Sequence, residues 1–173
     1  MILKFSGAFL ILISGSILGW IIAEQYTKRV QQLQELQMAI KVLDTEISYS
    51  STFLPEALIH SGEKSTYPIS FIFKETGKNM LNNRELIFSD IWIKILEENF
   101  YYNSLNNSDI KLLKNWGKQL GASHLKDQEK INKIILQQLK QNELIAREEA
   151  REKVKLFRYS GLLLSLLLII VFY

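Results

Sequence analysis

The chain is apolar at both ends and polar between them. FSGAFLILISGSILGWIIA runs from Phe5 to Ala23, nineteen residues without a charge, and YSGLLLSLLLIIVFY runs from Tyr159 to Tyr173, another fifteen. Every acidic residue, and every basic residue except Lys4, lies between the two runs. At ~1.5 Å per residue these runs cover ~28 Å and ~22 Å as helices, against a hydrocarbon layer of ~30 Å. The first is long enough to cross. The second becomes so if Leu156 and Phe157 extend it while Lys155 and Arg158 reach back to the headgroups. The first run exceeds the apolar stretch of a signal peptide and no small-x-small cleavage site follows it, so an uncleaved anchor is expected. Gly15, Gly19 and Ala23 recur every fourth residue, and Gly161 and Ser165 repeat that spacing. Small residues so placed let helix backbones approach closely in lipid, and these five are the candidate packing positions of the spans.

Helical periodicity governs the middle. Leu33, Leu36, Ile40, Leu43 and Ile47 are spaced three, four, three, four, with Gln, Glu, Lys and Asp between them. They predict one apolar seam on a helix that continues out of the first span to about Ser50. After a pause at Ser50–Thr52, Pro55 falls in the first turn of a short helix ending near Gly62. Pro68 opens a third helix, with Ile69, Ile72, Phe73 and Met80 apolar. Leu86, Phe88, Ile91, Trp92, Ile95 and Leu96 mark a fourth, ending near Asn99. Ser108 is the expected cap of a fifth, with Ile110, Leu113, Trp116 and Leu120 inward and a stop at Gly121. The last helix starts near Lys126, carries Ile131, Ile134, Ile135 and Leu139, and meets no breaker before the second run. Its polar stretch after residue 140 predicts either a solvated stalk, supported by pairs from Glu148 and Glu149 to Arg151 and Lys153, or pairing with the polar end of the first helix. No alternating strand pattern, repeat or Gly/Ser linker occurs. The predicted fold class is all-α: a membrane-anchored helical bundle with an N-terminal and a C-terminal transmembrane helix. The predicted domains are 1–25 and 156–173 for the spans and 26–155 for the bundle.

Charge adds an orientation. Lys4 alone lies beyond the first span, whereas Lys28, Arg29, Arg147, Arg151, Lys153, Lys155 and Arg158 flank the spans on the bundle side. The more basic side stays in the cytoplasm, so the bundle is expected there, with both termini outside. A net charge of +3, mixed in sign, gives no reason to expect nucleic acid. The chain has no cysteine, and His60 and His124 stand without a metal-ligand motif. Gly77-Lys78 lacks the rest of a phosphate loop. Glu97-Glu98 and Glu148-Glu149 are adjacent on helices and point apart. No enzyme, cofactor or metal is expected. Two stretches remain as candidate partner-docking positions. One is the turn of Thr52, Pro55 and Glu56, whose proline holds a fixed shape. The other is the helix start of Ser123 and Gln128, with unsatisfied backbone N–H groups.

The order of several strings resembles the stage III sporulation protein AB family over almost the whole chain. The polar seam contains Leu43, Glu46, Ile47 and Tyr49, followed by T-x-L-P-E-A-L at Thr52–Leu58, a helix with Trp92, Leu120-Gly121 with Gln128 after it, a basic segment and an apolar C-terminus. Two places depart from the pattern: His124 stands where an acid is usual, and FRYSG lacks the Ser-Leu-Gly order. The resemblance implies a subunit of the eight-protein complex that joins mother cell and forespore during sporulation. That complex acts as a channel or secretion-like apparatus. The subunit is similar to the inner-membrane platform proteins of type II secretion and type IV pilus systems. The implied partners are the complex's secretion-type ATPase, its other membrane subunits and the lipid bilayer, and self-association into a homo-oligomer suits that role. The implied location is the mother-cell membrane facing the forespore. The rival reading is a membrane-tethered signalling or adaptor protein, for which the outward tails are very short.

Overall fold

The computed structural model describes residues 2–83, 87–99, 104–122 and 125–172, with side chains for 6–83, 87–99, 104–120 and 127–171. The described residues form six helices and no strand: α1 Ile2–Ser48, α2 Leu54–Glu63, α3 Ile69–Asn82, α4 Phe88–Glu98, α5 Asn107–Ala122 and α6 Leu125–Phe172. Both apolar runs are thus the outer parts of long helices that continue unbroken into the polar region. The chain divides into two compact units, Met1–Val30 with Ile145–Tyr173, and Gln31–Leu144.

In the first unit the two apolar helix segments lie side by side. A Cβ added at Gly19 would stand 2.5 Å from the Phe157 carbonyl oxygen and 3.2 Å from Gly161 Cα. One added at Gly161 would stand 2.6 Å from the Gly15 carbonyl oxygen, and one at Gly15 would collide with Ser165 Oγ. Gly15, Gly19, Gly161 and Ser165 therefore lie where the backbones meet, and Ala23 is fully buried on the same face of α1. Farther along, Tyr26 stacks on Phe157, with ring centroids 5.8 Å apart, and Arg29 donates to Glu149 Oε2 at 2.7 Å. Glu149 bridges across to the other helix; neither it nor Glu148 pairs with Arg151 or Lys153. The polar stretch after residue 140 thus pairs with α1. The remaining surface of the apolar segments is bare: Phe9, Leu10, Leu18, Leu163, Leu164 and Ile170 are exposed. Both helices are long and apolar enough to cross a membrane, and only 11% and 6% of their most apolar windows are buried. A soluble core helix would be mostly buried, so this exposure favours lipid as the solvent.

The second unit is a bundle in which α2 packs on α3, α3 on α4 and α4 on α5. Leu33, Leu36, Ile40 and Leu43 of α1 are fully buried and Ile47 nearly so, with Ala39 completing the seam. An aromatic cluster fills the centre. Trp92 lies edge-on to Phe73 at 5.3 Å and to Trp116 at 5.1 Å, and stacks with Phe88 at 6.0 Å. Its indole N–H donates to the Leu113 carbonyl at 2.9 Å. Such pairs contribute about 0.5–1.5 kcal/mol beyond their buried area.

Several polar groups are buried as well. Asn132 accepts from the Trp116 indole at 3.0 Å and donates to Asp44 at 2.9 Å, tying α5, α6 and α1 together. Glu143 is almost fully buried and accepts from Gln34, Gln37 and Lys140. Asp109 is fully buried and accepts from Asn142 at 2.7 Å. The α5 cap is Asn106, not Ser108: Asn106 Oδ1 accepts the Asp109 N–H at 2.9 Å, and Asp109 Oδ2 accepts the Asn106 N–H at 3.1 Å. That reciprocal pair is a capping box, with Asp109 in the Glu/Gln position. On α6 Ile135 is buried, whereas Ile134 is half exposed and Asn132 takes an inward position.

Candidate docking site

The α1–α2 turn is pinned from one side. Thr52 Oγ1 donates to Glu46 Oε2 at 2.9 Å, and the Thr52 N–H donates to the Glu46 carbonyl at 3.0 Å. His60 Nδ1 stands 3.4 Å from the same carboxylate oxygen. The Thr52 hydroxyl, reinforced by His60, holds the Glu46 carboxyl below its ordinary value of 4.5. Ser51 lies in the left-handed region at φ 53°, a conformation that costs a non-glycine residue about 1–2 kcal/mol. Backbone strain of this kind persists only where the surroundings enforce it, and it gathers at functional turns. Phe53 stands in the N-cap position of α2 without a side-chain cap bond, and Pro55 and Glu56 follow in the first turn. Thr52 is therefore a tether to α1 and does not cap α2.

The turn forms one wall of a cleft of about 230 Å³ lined by Ile47, Ser51, Thr52, Phe53, Leu54 and Gln128. The two candidate stretches, far apart in sequence, meet here through Thr52 and Gln128. Gln128 Oε1 is buried and has no hydrogen-bond partner among the described residues. Left unmatched, a buried polar atom costs roughly 1–3 kcal/mol, so a donor reaching this oxygen would be favoured. Phe53, which lines it, is 79% exposed, and Tyr49, four residues earlier at the end of α1, is 86% exposed. Glu56 is exposed on the α2 side and Pro55 is half-buried. Ser123 lies outside the described residues. Sequence reasoning missed Phe53 and Tyr49. They bracket the Ser50–Thr52 pause in the sequence, but a lone aromatic has no periodic signature, and only the fold shows that both are exposed.

Among the described residues no group of three or more His, Asp or Glu side chains is placed to hold a metal ion. The cleft offers apolar side chains of Ile47 and Leu54, an exposed Phe53 ring, one acceptor without a partner among the described residues, and a turn tethered to Glu46.

The stage III sporulation protein AB family model matches residues 4–173. Stage III sporulation protein AB of Bacillus subtilis (strain 168) is 28% identical over 169 residues, covering 98% of both chains. A solved structure of Stage III sporulation protein AB (SpoIIIAB) is similar at a TM-score of 0.65 and 26% identity, over 71% of this chain and 96% of that one. The match takes in both apolar ends as well as the bundle between them, and the chain belongs to the stage III sporulation protein AB family.

Proposed function

We propose that this protein is a non-enzymatic membrane platform of the sporulation complex. In this reading two spans hold the bundle at the cytoplasmic face of the mother-cell membrane that faces the forespore. The bundle docks the complex's secretion-type ATPase at the cleft between the α1–α2 turn and the start of α6. The observation that carries this reading is the convergence of Thr52 and Gln128 on one cleft, with a buried acceptor that has no partner among the described residues and the exposed Phe53 ring in its lining. Interface hot spots favour such aromatic anchors next to a pocket. Tethering at both ends suits a platform, because a bundle held at two points resists rotation by a motor bound to it. Other membrane subunits would meet the spans, and a homo-oligomer would multiply the docking sites around the ATPase.

Co-purification of the ATPase with the full chain tests the docking step. Gln128→Ala and Glu56→Arg change surface or cleft groups, and each should alter stability by about 1 kcal/mol or less. The expected outcome is normal protein level and membrane insertion with ATPase recruitment lost. Normal recruitment by both variants would remove this cleft as the docking site.

A further inference from the structure

The basic residues beside the membrane are unequal. On α1, Lys28 is paired with Glu24 at 3.1 Å, and the nearly buried Arg29 is paired with Glu149 at 2.7 Å. On α6, Lys153 turns over the Tyr26 ring, 5.2 Å from its centroid. These cations are used within the helix pair. Arg151, Lys155 and Arg158 are different. They are exposed, and none has an ion pair or hydrogen bond among the described residues. Spacings of four and three place all three on one face of α6. Of the acids nearby in the chain, Glu149 pairs with Arg29, and Glu148 and Glu152, three residues before Arg151 and Lys155, do not pair with the stripe.

The level of the stripe is set by aromatic residues. Gly19 meets Phe157 and Gly161 across the helix pair, which puts Trp20 and Tyr159 at about the same height. Both are exposed, at 55% and 69%, and such rings settle at the membrane–water interface. Arg158 is the last charge before the uncharged run. Lys155 stands ~4.5 Å farther from the bilayer centre and Arg151 ~10 Å, at ~1.5 Å per residue. The polar layer on each side of the hydrocarbon core is ~5–7 Å thick. Arg158 and Lys155 therefore lie at phosphate depth, and the long side chain of Arg151 reaches it from below.

We propose that Arg151, Lys155 and Arg158 form a binding stripe for the phosphate headgroups of anionic phospholipid. The stripe would gather those lipids along the outer face of α6. The proposal rests on the reading of the two apolar segments as membrane spans. Each cation near an anionic surface favours binding by roughly fivefold.

The test uses the full chain in vesicles of equal parts phosphatidylcholine and phosphatidylglycerol, released into native mass spectrometry to compare retained lipids. The wild type should retain phosphatidylglycerol over phosphatidylcholine by about fivefold or more. The triple variant Arg151→Gln, Lys155→Gln, Arg158→Gln should fall to near-equal retention. Arg151→Lys with Arg158→Lys should keep the preference, as should Lys111→Gln, Lys118→Gln, Lys133→Gln on the bundle. An unchanged ratio in the stripe variant overturns the proposal. Equal retention by the wild type also overturns it, including the case in which the stripe variant instead loses an acidic protein partner. Alkaline carbonate extraction of the same vesicles tests the spans separately, since release of the chain would sink the membrane reading itself.

Discussion

Gly117→Ala probes the centre of the bundle. Gly117 is buried on α5, and a Cβ there would collide with Trp92 Cδ1 and stand 2.9 Å from its Nε1. The ring has nowhere to retreat: Trp92 is fully buried, with Phe73, Phe88 and Trp116 around it, and its N–H is committed to the Leu113 carbonyl. Overpacking costs about 1–3 kcal/mol. If the ring tilts, the buried indole donor loses its acceptor, at a further cost of about 1–3 kcal/mol. Alanine regains about 1 kcal/mol of helix propensity. The net loss is about 3 kcal/mol, which lowers the melting temperature by roughly 10 °C for a folded part of this size. The assay is tryptophan fluorescence of the full chain in detergent, in a Trp20→Phe background so that Trp92 and Trp116 dominate the emission. Lys118→Ala, exposed on the next residue, should melt within a degree or two of the parent. If Gly117→Ala melts at or above the parent, the ring does not lie against α5 as described.

Two further predictions concern the ends of α1. Thr52→Val removes the principal group holding the Glu46 carboxyl low. A carboxylate with a depressed folded-state value stabilises the fold above its ordinary value of 4.5 and loses that contribution as pH falls through the depressed value. The stability gap between wild type and Thr52→Val, followed by urea melts against pH, should be full at neutral pH and close in acid; a gap independent of pH would refute the assignment. In the spans, a Cβ at Gly15 would lie 3.3 Å from Ser165 Cβ, within reach of a slightly adjusted disulfide. Because the chain has no cysteine of its own, Gly15→Cys with Ser165→Cys should cross-link cleanly in membranes, while Leu18→Cys with Leu163→Cys, both on exposed positions, should not.

What was legible in the sequence had a period or a length. The two uncharged runs, the α1 seam from Leu33 to Ile47 and the apolar faces of α3 to α5 all repeat at helical spacing, because one solvent boundary runs along each helix. What was not legible depends on partners distant in the chain. Asn132, Glu143 and Asp109 carry no apolar signature in the sequence, yet each is buried and hydrogen-bonded by side chains that only the fold brings near. Ile134 is as apolar as Ile135 but half exposed, while Asn132 is buried because Trp116 and Asp44 offer it both an N–H donor and a carboxylate acceptor. Glu149 had a local pairing rule in its favour, and Arg29 across the helix pair claimed it instead. At the candidate site each stretch was visible by itself. Their convergence on one cleft carries no local signature.

The most direct test of the account is membrane topology in living cells. A dual reporter, active as a phosphatase only outside the cytoplasm and as a fluorescent protein only inside, is fused after Tyr173 or inserted between Glu63 and Lys64. The basic flanks of both spans predict phosphatase activity after Tyr173 and fluorescence at the insertion. The reverse pattern, or fluorescence at both sites, would contradict a bundle held in the cytoplasm by two membrane spans and with it the platform reading.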